Sequence, residues 1–224
     1  MSFNVNISNP WQYCLGIMTP VTYLGYYEYY VAFALLGAGL KYVDDAFDED
    51  RFSKKGALVV APLLVILAGM LAVTDTASRT ILVSILLSSL ISGKVDNVVF
   101  KLSSAAFLVL ILFASHTFNG TLTFLWIPLF ALTMFGILDE KGEGYTAKNK
   151  TTTITNFFFH HRFAMKLGML TLCACQFFAW SYLFSFLAFD LTYEAVGVFR
   201  SVSVPPSVSR MKTSTLHTQL EELA

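Results

Sequence analysis

Charge is scarce in this chain: of 224 residues only 13% are Asp, Glu, Lys or Arg, while 55% are hydrophobic. Soluble domains carry about 25% charged and 45–50% apolar residues, and a globule of this size exposes too much area to hide such an excess. With a mean hydropathy of +0.62, the composition excludes a water-soluble fold. Cysteine is scarce too, and Cys14, Cys173 and Cys175 all sit among apolar neighbours, a spacing that builds neither a disulfide framework nor a zinc site. No sign of charge dominates, since fifteen Lys and Arg balance fifteen Asp and Glu, so nothing argues for nucleic acid. The stretch before Pro10 lacks both a basic residue and an apolar core, so no cleaved signal peptide is expected and the first span serves as its own membrane signal. Also missing are a Gly-rich phosphate loop, a Ser-His-Asp order and a Cys-His pairing, which leaves hydrolase and nucleotide-triphosphatase readings without residues.

Long apolar runs, by contrast, are plentiful. A helix needs about 20 largely apolar residues to cross the hydrocarbon, and stretches approaching that run over Val21–Lys41, Ala57–Val73, Thr80–Ser92, Leu102–His116, Leu122–Leu138 and Phe163–Phe189. The expected fold is all-α, a polytopic membrane helical bundle of about six transmembrane helices over residues 1–200. The last run leaves open whether residues 163–199 form one helix or two. Residues 201–224 read as a polar tail after Pro205-Pro206, with Leu216, Leu220 and Leu223 at i, i+4, i+7 marking a short amphipathic helix.

Topology follows from where the charges fall. Connections after the odd-numbered spans hold Lys41, Arg51, Lys54, Lys55, Lys94, Lys101, Lys141, Lys148, Lys150, Arg162 and Lys166, and the opposite connections hold only Arg79. The positive-inside rule then puts the basic face in the cytoplasm. The same face collects acid, which that rule does not predict: Asp44, Asp45, Asp48, Glu49 and Asp50 after the first span, Asp96 after the third, and Asp139, Glu140 and Glu143 after the fifth. Asp45 and Asp48 share a helix face at i, i+3, and Asp139 and Glu143 do so at i, i+4. Carboxylates so clustered repel unless something positive lies between them, and hard oxygen ligands with room for water suit Mg²⁺, which binds through one or two carboxylates plus substrate phosphates. Asp44, Asp45, Asp48, Asp139 and Glu143 are therefore candidate metal ligands, and Lys94, Lys101, Lys148 and Arg162 candidate partners for phosphate oxygens.

These residues resemble a known family. Asp44-Asp45-Ala46-Phe47-Asp48 is similar to the first aspartate-rich motif of the UbiA-type intramembrane prenyltransferases, and Asp139-Glu140-Lys141-Gly142-Glu143 resembles their second, with Glu in place of the last Asp. Lys101 stands where that family has a basic residue for the diphosphate. The chain departs from the pattern in having one span before the first motif where the family has two, and Phe52 where a third aspartate falls. The resemblance implies transfer of an isoprenyl group from a polyprenyl diphosphate to a lipophilic acceptor, with Mg²⁺ at the acidic tips and Asp45 and Asp139 central to catalysis. It also implies that Tyr23, Tyr26, Tyr27, Tyr29 and Tyr30 could flank an allylic cation; as plain residues they read as an interfacial aromatic belt.

Glu28 falls inside the first span, where a charge costs about 2.5–3.5 kcal/mol, and an intramembrane acid is a functional candidate by default. His160 and His161 open the sixth span on the acidic face, where one could join the rim. Two other functions fit the same residues: a small cation transporter or channel with an acidic cytoplasmic mouth and Glu28 as an inner site, and a non-catalytic membrane subunit whose charged rim docks a partner.

Overall fold

The computed structural model describes residues 26–48, 52–93, 97–117, 123–149 and 152–201. Asp96, Lys94, Glu49, Asp50 and the amphipathic tail helix expected within 201–224 lie outside the described residues. Every regular element among the described residues is a helix: α1 (Tyr26–Asp48), α2 (Lys54–Thr74), α3 (Thr76–Ser92), α4 (Val98–Thr117), α5 (Trp126–Lys148), α6 (Thr153–His160), α7 (Phe163–Ala174) and α8 (Trp180–Ser201). The all-helical expectation thus holds. One of them, α2, is long and apolar enough by itself to cross a membrane; α3, α4 and α7 contain apolar helical stretches that are shorter.

The punctuation of the chain is chemical. Ser53 opens α2 by accepting from the Gly56 N–H, and Asp75 opens α3 by accepting from the Ser78 N–H. These side-chain oxygens satisfy donors that the helix itself leaves orphaned. Gly93 closes α3 in the left-handed region at φ 75, where glycine carries no Cβ penalty. α5 runs on through the acidic motif to Lys148, so Asp139 and Glu143 are helical as their spacing predicted.

The sixth expected span is two helices, not one. α7 ends at Ala174 in a Schellman motif: the Phe177 N–H reaches the Leu172 carbonyl at 2.9 Å and the Gln176 N–H that of Cys173 at 3.0 Å. Gln176 takes the left-handed conformation at φ 64 in the place glycine usually fills. The chain then reverses, and α8 returns beside α7 to pack along α1. That contact is close because Gly37 has no side chain; a Cβ there would fall on the Phe189 carbonyl, and the Thr192 hydroxyl donates to the Ala34 carbonyl at 2.7 Å.

The core is one continuous apolar cluster running through α1, α2, α3, α4, α5, α7 and α8, with Phe33, Leu71, Ile81, Leu132 and Met169 enclosed. The outward faces are apolar as well, including Leu58, Val59, Leu63 and Ile66 on α2 and Val109, Leu112 and Phe113 on α4. A greasy exterior around a greasy interior leaves two polar regions, one at each end of the bundle.

Candidate functional site

One end gathers the C-terminal parts of α1 and α8, the acidic stretch of α5 and the N-terminus of α7. Lys41 and Asp45 are one helical turn apart on α1, and the ammonium lies 2.8 Å from Asp45 Oδ1 and 3.5 Å from Asp44 Oδ2. Asp45 is 1% exposed, and its Oδ2 has no hydrogen-bond partner. From α8 the Tyr193 hydroxyl donates to Asp44 Oδ2 at 3.2 Å. The Tyr193 ring sits between two cations, Lys41 Nζ at 5.3 Å and the Arg162 guanidinium at 4.8 Å from its centre, an arrangement favoured by the negative ring face. Arg162 in turn donates to Glu140 Oε1 at 2.9 Å.

Arg162 begins α7 in the left-handed region at φ 51 and offers no capping oxygen, so the first amides of that helix need an acceptor from elsewhere. Asp139 supplies it from α5. Its Oδ1 accepts from the Ala164 N–H at 3.0 Å and its Oδ2 from the Met165 N–H at 2.7 Å. A carboxylate there also meets the positive end of the α7 dipole. For Arg162 burial works against the charge, but Tyr193, Glu140, Asp190 and Glu143 outweigh it and hold the guanidinium above its usual value. It is therefore a permanent cation.

A second string of pairs joins α7 to α8. Lys166 Nζ lies 2.6 Å from Asp190 Oδ2 and 3.2 Å from Glu194 Oε1, and His161 Nδ1 meets Glu194 Oε2 at 3.0 Å. Asp44, Asp45, Asp139, Glu140, Asp190 and Glu194 thus share this end with three permanent cations, Lys41, Arg162 and Lys166. Acid is in excess.

Two cavities meet here. An apolar hollow of about 100 Å³ is walled by α1, α2, α3, α4 and α8, with Leu40, Leu64, Leu86 and Phe107 among its lining and Ser89, Ser103 and Ser104 as its polar spots. A polar chamber of about 10 Å³ is lined by Ser88, Ser89, Asp139, Glu140, Arg162 and Asp190 with Gly136 and Met165. Ile85, Ser89 and Phe189 line both.

The structure therefore brings together Asp44, Asp45, Asp139 and Arg162, with Glu143 close enough to act on Arg162. Lys101 is exposed on α4 and Lys148 is exposed in the last turn of α5. Asp48 ends α1, Lys94 lies outside the described residues, and Glu28 is exposed in the first turn of α1. Glu28 precedes Asp44 by sixteen residues, about 24 Å of helix at 1.5 Å per residue. Lys41, Lys166, Asp190, Tyr193 and Glu194 were not singled out from the sequence; what pointed to them was two acids interrupting an apolar run one turn apart. His161 does join the rim. Among the described residues no three His, Cys, Asp or Glu side chains are grouped to hold a metal. The Asp44–Asp45 pair, with one buried unpartnered oxygen, fits the smaller demand of an ion that arrives with phosphate. Asp139 has both oxygens committed to α7.

No family model matches the chain, and no curated protein or solved structure matches it either.

Proposed function

We propose that the chain is a multi-pass membrane protein, its acidic and basic end cytoplasmic, that works as a transferase on an isoprenyl diphosphate and a lipophilic acceptor. The observation that carries this reading is the apolar hollow sharing a wall with a polar chamber that holds Arg162, Asp139 and Glu140. An amphiphile with a hydrocarbon tail and a polyanionic head needs an apolar wall next to charged side chains; the tail would enter the hollow, and the head, too large for the chamber, would lie at the charged rim beside Lys41 and Arg162. The membrane setting is supported by the apolar outer faces of α2 and α4, since soluble proteins rarely expose apolar patches of that extent. On this reading α1 to α5 pass through the bilayer, and α7, twelve residues and about 18 Å long, enters it from the charged end without crossing alone.

The hollow would take the prenyl tail and exclude water from it. Arg162, pinned by Glu140 and the Tyr193 ring, would present charge to the diphosphate without reorganising, which is how fixed charges stabilise a leaving anion. Mg²⁺ bound at Asp44 and Asp45 would neutralise further charge on that group. Asp139 acts one step back, as a positioning residue: by capping α7 it fixes Arg162 at the mouth.

The test is saturable binding of farnesyl diphosphate with Mg²⁺ to the full chain in nanodiscs, by calorimetry. Wild type should bind, and Asp45→Asn, nearly isosteric, should weaken binding at least tenfold while keeping its helical melting curve. Absence of saturable binding by wild type, or equal binding by the variant, overturns the proposal. A second reading, a non-catalytic subunit, is favoured by one observation: Lys41, Arg162 and Lys166 each already face a carboxylate. It expects the first of those overturning results.

A further inference from the structure

We infer that the lysines ringing the charged end of the bundle bind the headgroups of anionic phospholipids. This rests on the membrane setting proposed above and is independent of the transferase chemistry.

The charges of this end are sorted by sign. Among the side chains described there, the carboxylates turn inward: Asp45, Asp139, Glu140 and Asp190 are buried, and Asp44, Glu143 and Glu194 are half-buried. The cations that pair with them, Lys41, Arg162 and Lys166, are half-buried too. Lys55, Lys101, Lys141 and Lys148 are all exposed. The described outer rim is therefore positive although the network it surrounds holds an excess of acid, and a ring of ammonium groups attracts a surface of the opposite sign.

Their places on the helices say what that surface is. On α5 Met134, Leu138, Lys141, Tyr145 and Lys148 recur at helical spacing and form one exposed stripe, apolar toward the middle of the bundle and basic toward its end. On α4 Lys101 heads an exposed stripe that continues through Leu108 and Leu112, and on α2 Lys55 heads one that continues through Leu58 and Val59. A lysine stem lies along apolar surface while its ammonium reaches the water, so each stripe fits acyl chains along its length and a phosphate at its end. A soluble acidic partner needs the lysines alone, whereas apolar stripes running into lysines fit a phospholipid. Lys101 and Lys148, which the sequence assigns to a diphosphate, are not in the chamber lining; the outward faces they stand on give them a lipid phosphate instead.

Native mass spectrometry of the full chain in detergent, titrated with dioctanoyl phosphatidylglycerol or dioctanoyl phosphatidylcholine, separates headgroup from tail because the acyl chains are identical. Wild type should hold phosphatidylglycerol at least about fivefold more tightly, the gain expected of one lysine at an anionic surface. Replacing all four, Lys55→Gln, Lys101→Gln, Lys141→Gln and Lys148→Gln, should bring the two lipids to parity with phosphatidylcholine binding unchanged; exposed positions ordinarily tolerate such changes. Equal affinities in wild type overturn the inference, and that comparison needs no variant. So does a preference that survives in the folded quadruple variant, or displacement of the lipid by inorganic phosphate at the same concentration, which would assign the rim to free anions. The membrane setting has its own test: a chain released from membranes by alkaline carbonate without detergent would fail it, and the inference with it.

Discussion

The two ends of this bundle spend their polar groups differently. At the end holding the α2–α3 junction, the charges serve the backbone: Arg79 donates to the carbonyls of Ala72, Val73 and Thr123, and Asp75 accepts from Ser78. These contacts close a helix end and a turn. At the other end side chains meet side chains across distant helices, as Tyr193 meets Asp44 and Arg162 meets Glu140, and within that contacting network carboxylates outnumber cations. Helix termini need capping wherever they occur. A surplus of buried carboxylates beside an apolar hollow goes beyond that need, which is why function is assigned to this end.

The comparison breaks most sharply at Arg162. Replacing it with Met removes the guanidinium 2.9 Å from the buried Glu140 carboxylate, and removing one partner of a buried pair costs up to about 3–5 kcal/mol. Thermal unfolding in detergent should show the loss, and a change under 1 kcal/mol would mean the pair is solvated. Next is Asp139→Ala, which strips two buried amides of their acceptor; the expected cost is about 2 kcal/mol, combining a lost cap with unsatisfied donors.

Much of this end was legible in the sequence, and the reason for the rest is geometric. Spacing along one helix places Asp45 against Lys41 or Asp139 beside Glu143, because i, i+3 and i, i+4 neighbours share a face. It does not say which helices meet. Asp190 and Glu194 therefore read as interruptions of an apolar run, when they are the α8 half of a network whose other half is Lys166 and His161. The turn that creates this pairing gives no sequence signal, since Gln176 occupies a left-handed position without glycine or asparagine to mark it. Asp139 was expected as a metal ligand and catalytic residue, whereas both its oxygens face α7 amides, an attachment only the fold can show.

The opposite end should respond less and differently. Arg79→Gln removes a guanidinium that makes three bonds to carbonyls of α2 and of Thr123, of which the Gln amide can keep one; losing the other two at about 1 kcal/mol net each gives an expected cost of about 2 kcal/mol. Farnesyl diphosphate binding should stay at the wild-type value. Weaker binding would show that the two ends are coupled and that the division drawn between them fails.

Glu28 should give the smallest effect of all. Its side chain is exposed in the first turn of α1, where a negative charge favours the helix dipole by about 0.3–1 kcal/mol. It lies a bundle length from Asp44, and the apolar hollow between does not include it. Glu28→Gln should then shift stability by no more than about 0.5 kcal/mol, within the range of ordinary surface substitutions, with diphosphate binding unaltered. Cation flux into liposomes, measured for both proteins, checks the same point from the side of transport. A flux carried by wild type and lost in the variant would move the functional centre to this end, because a residue that serves only the α1 terminus cannot gate an ion.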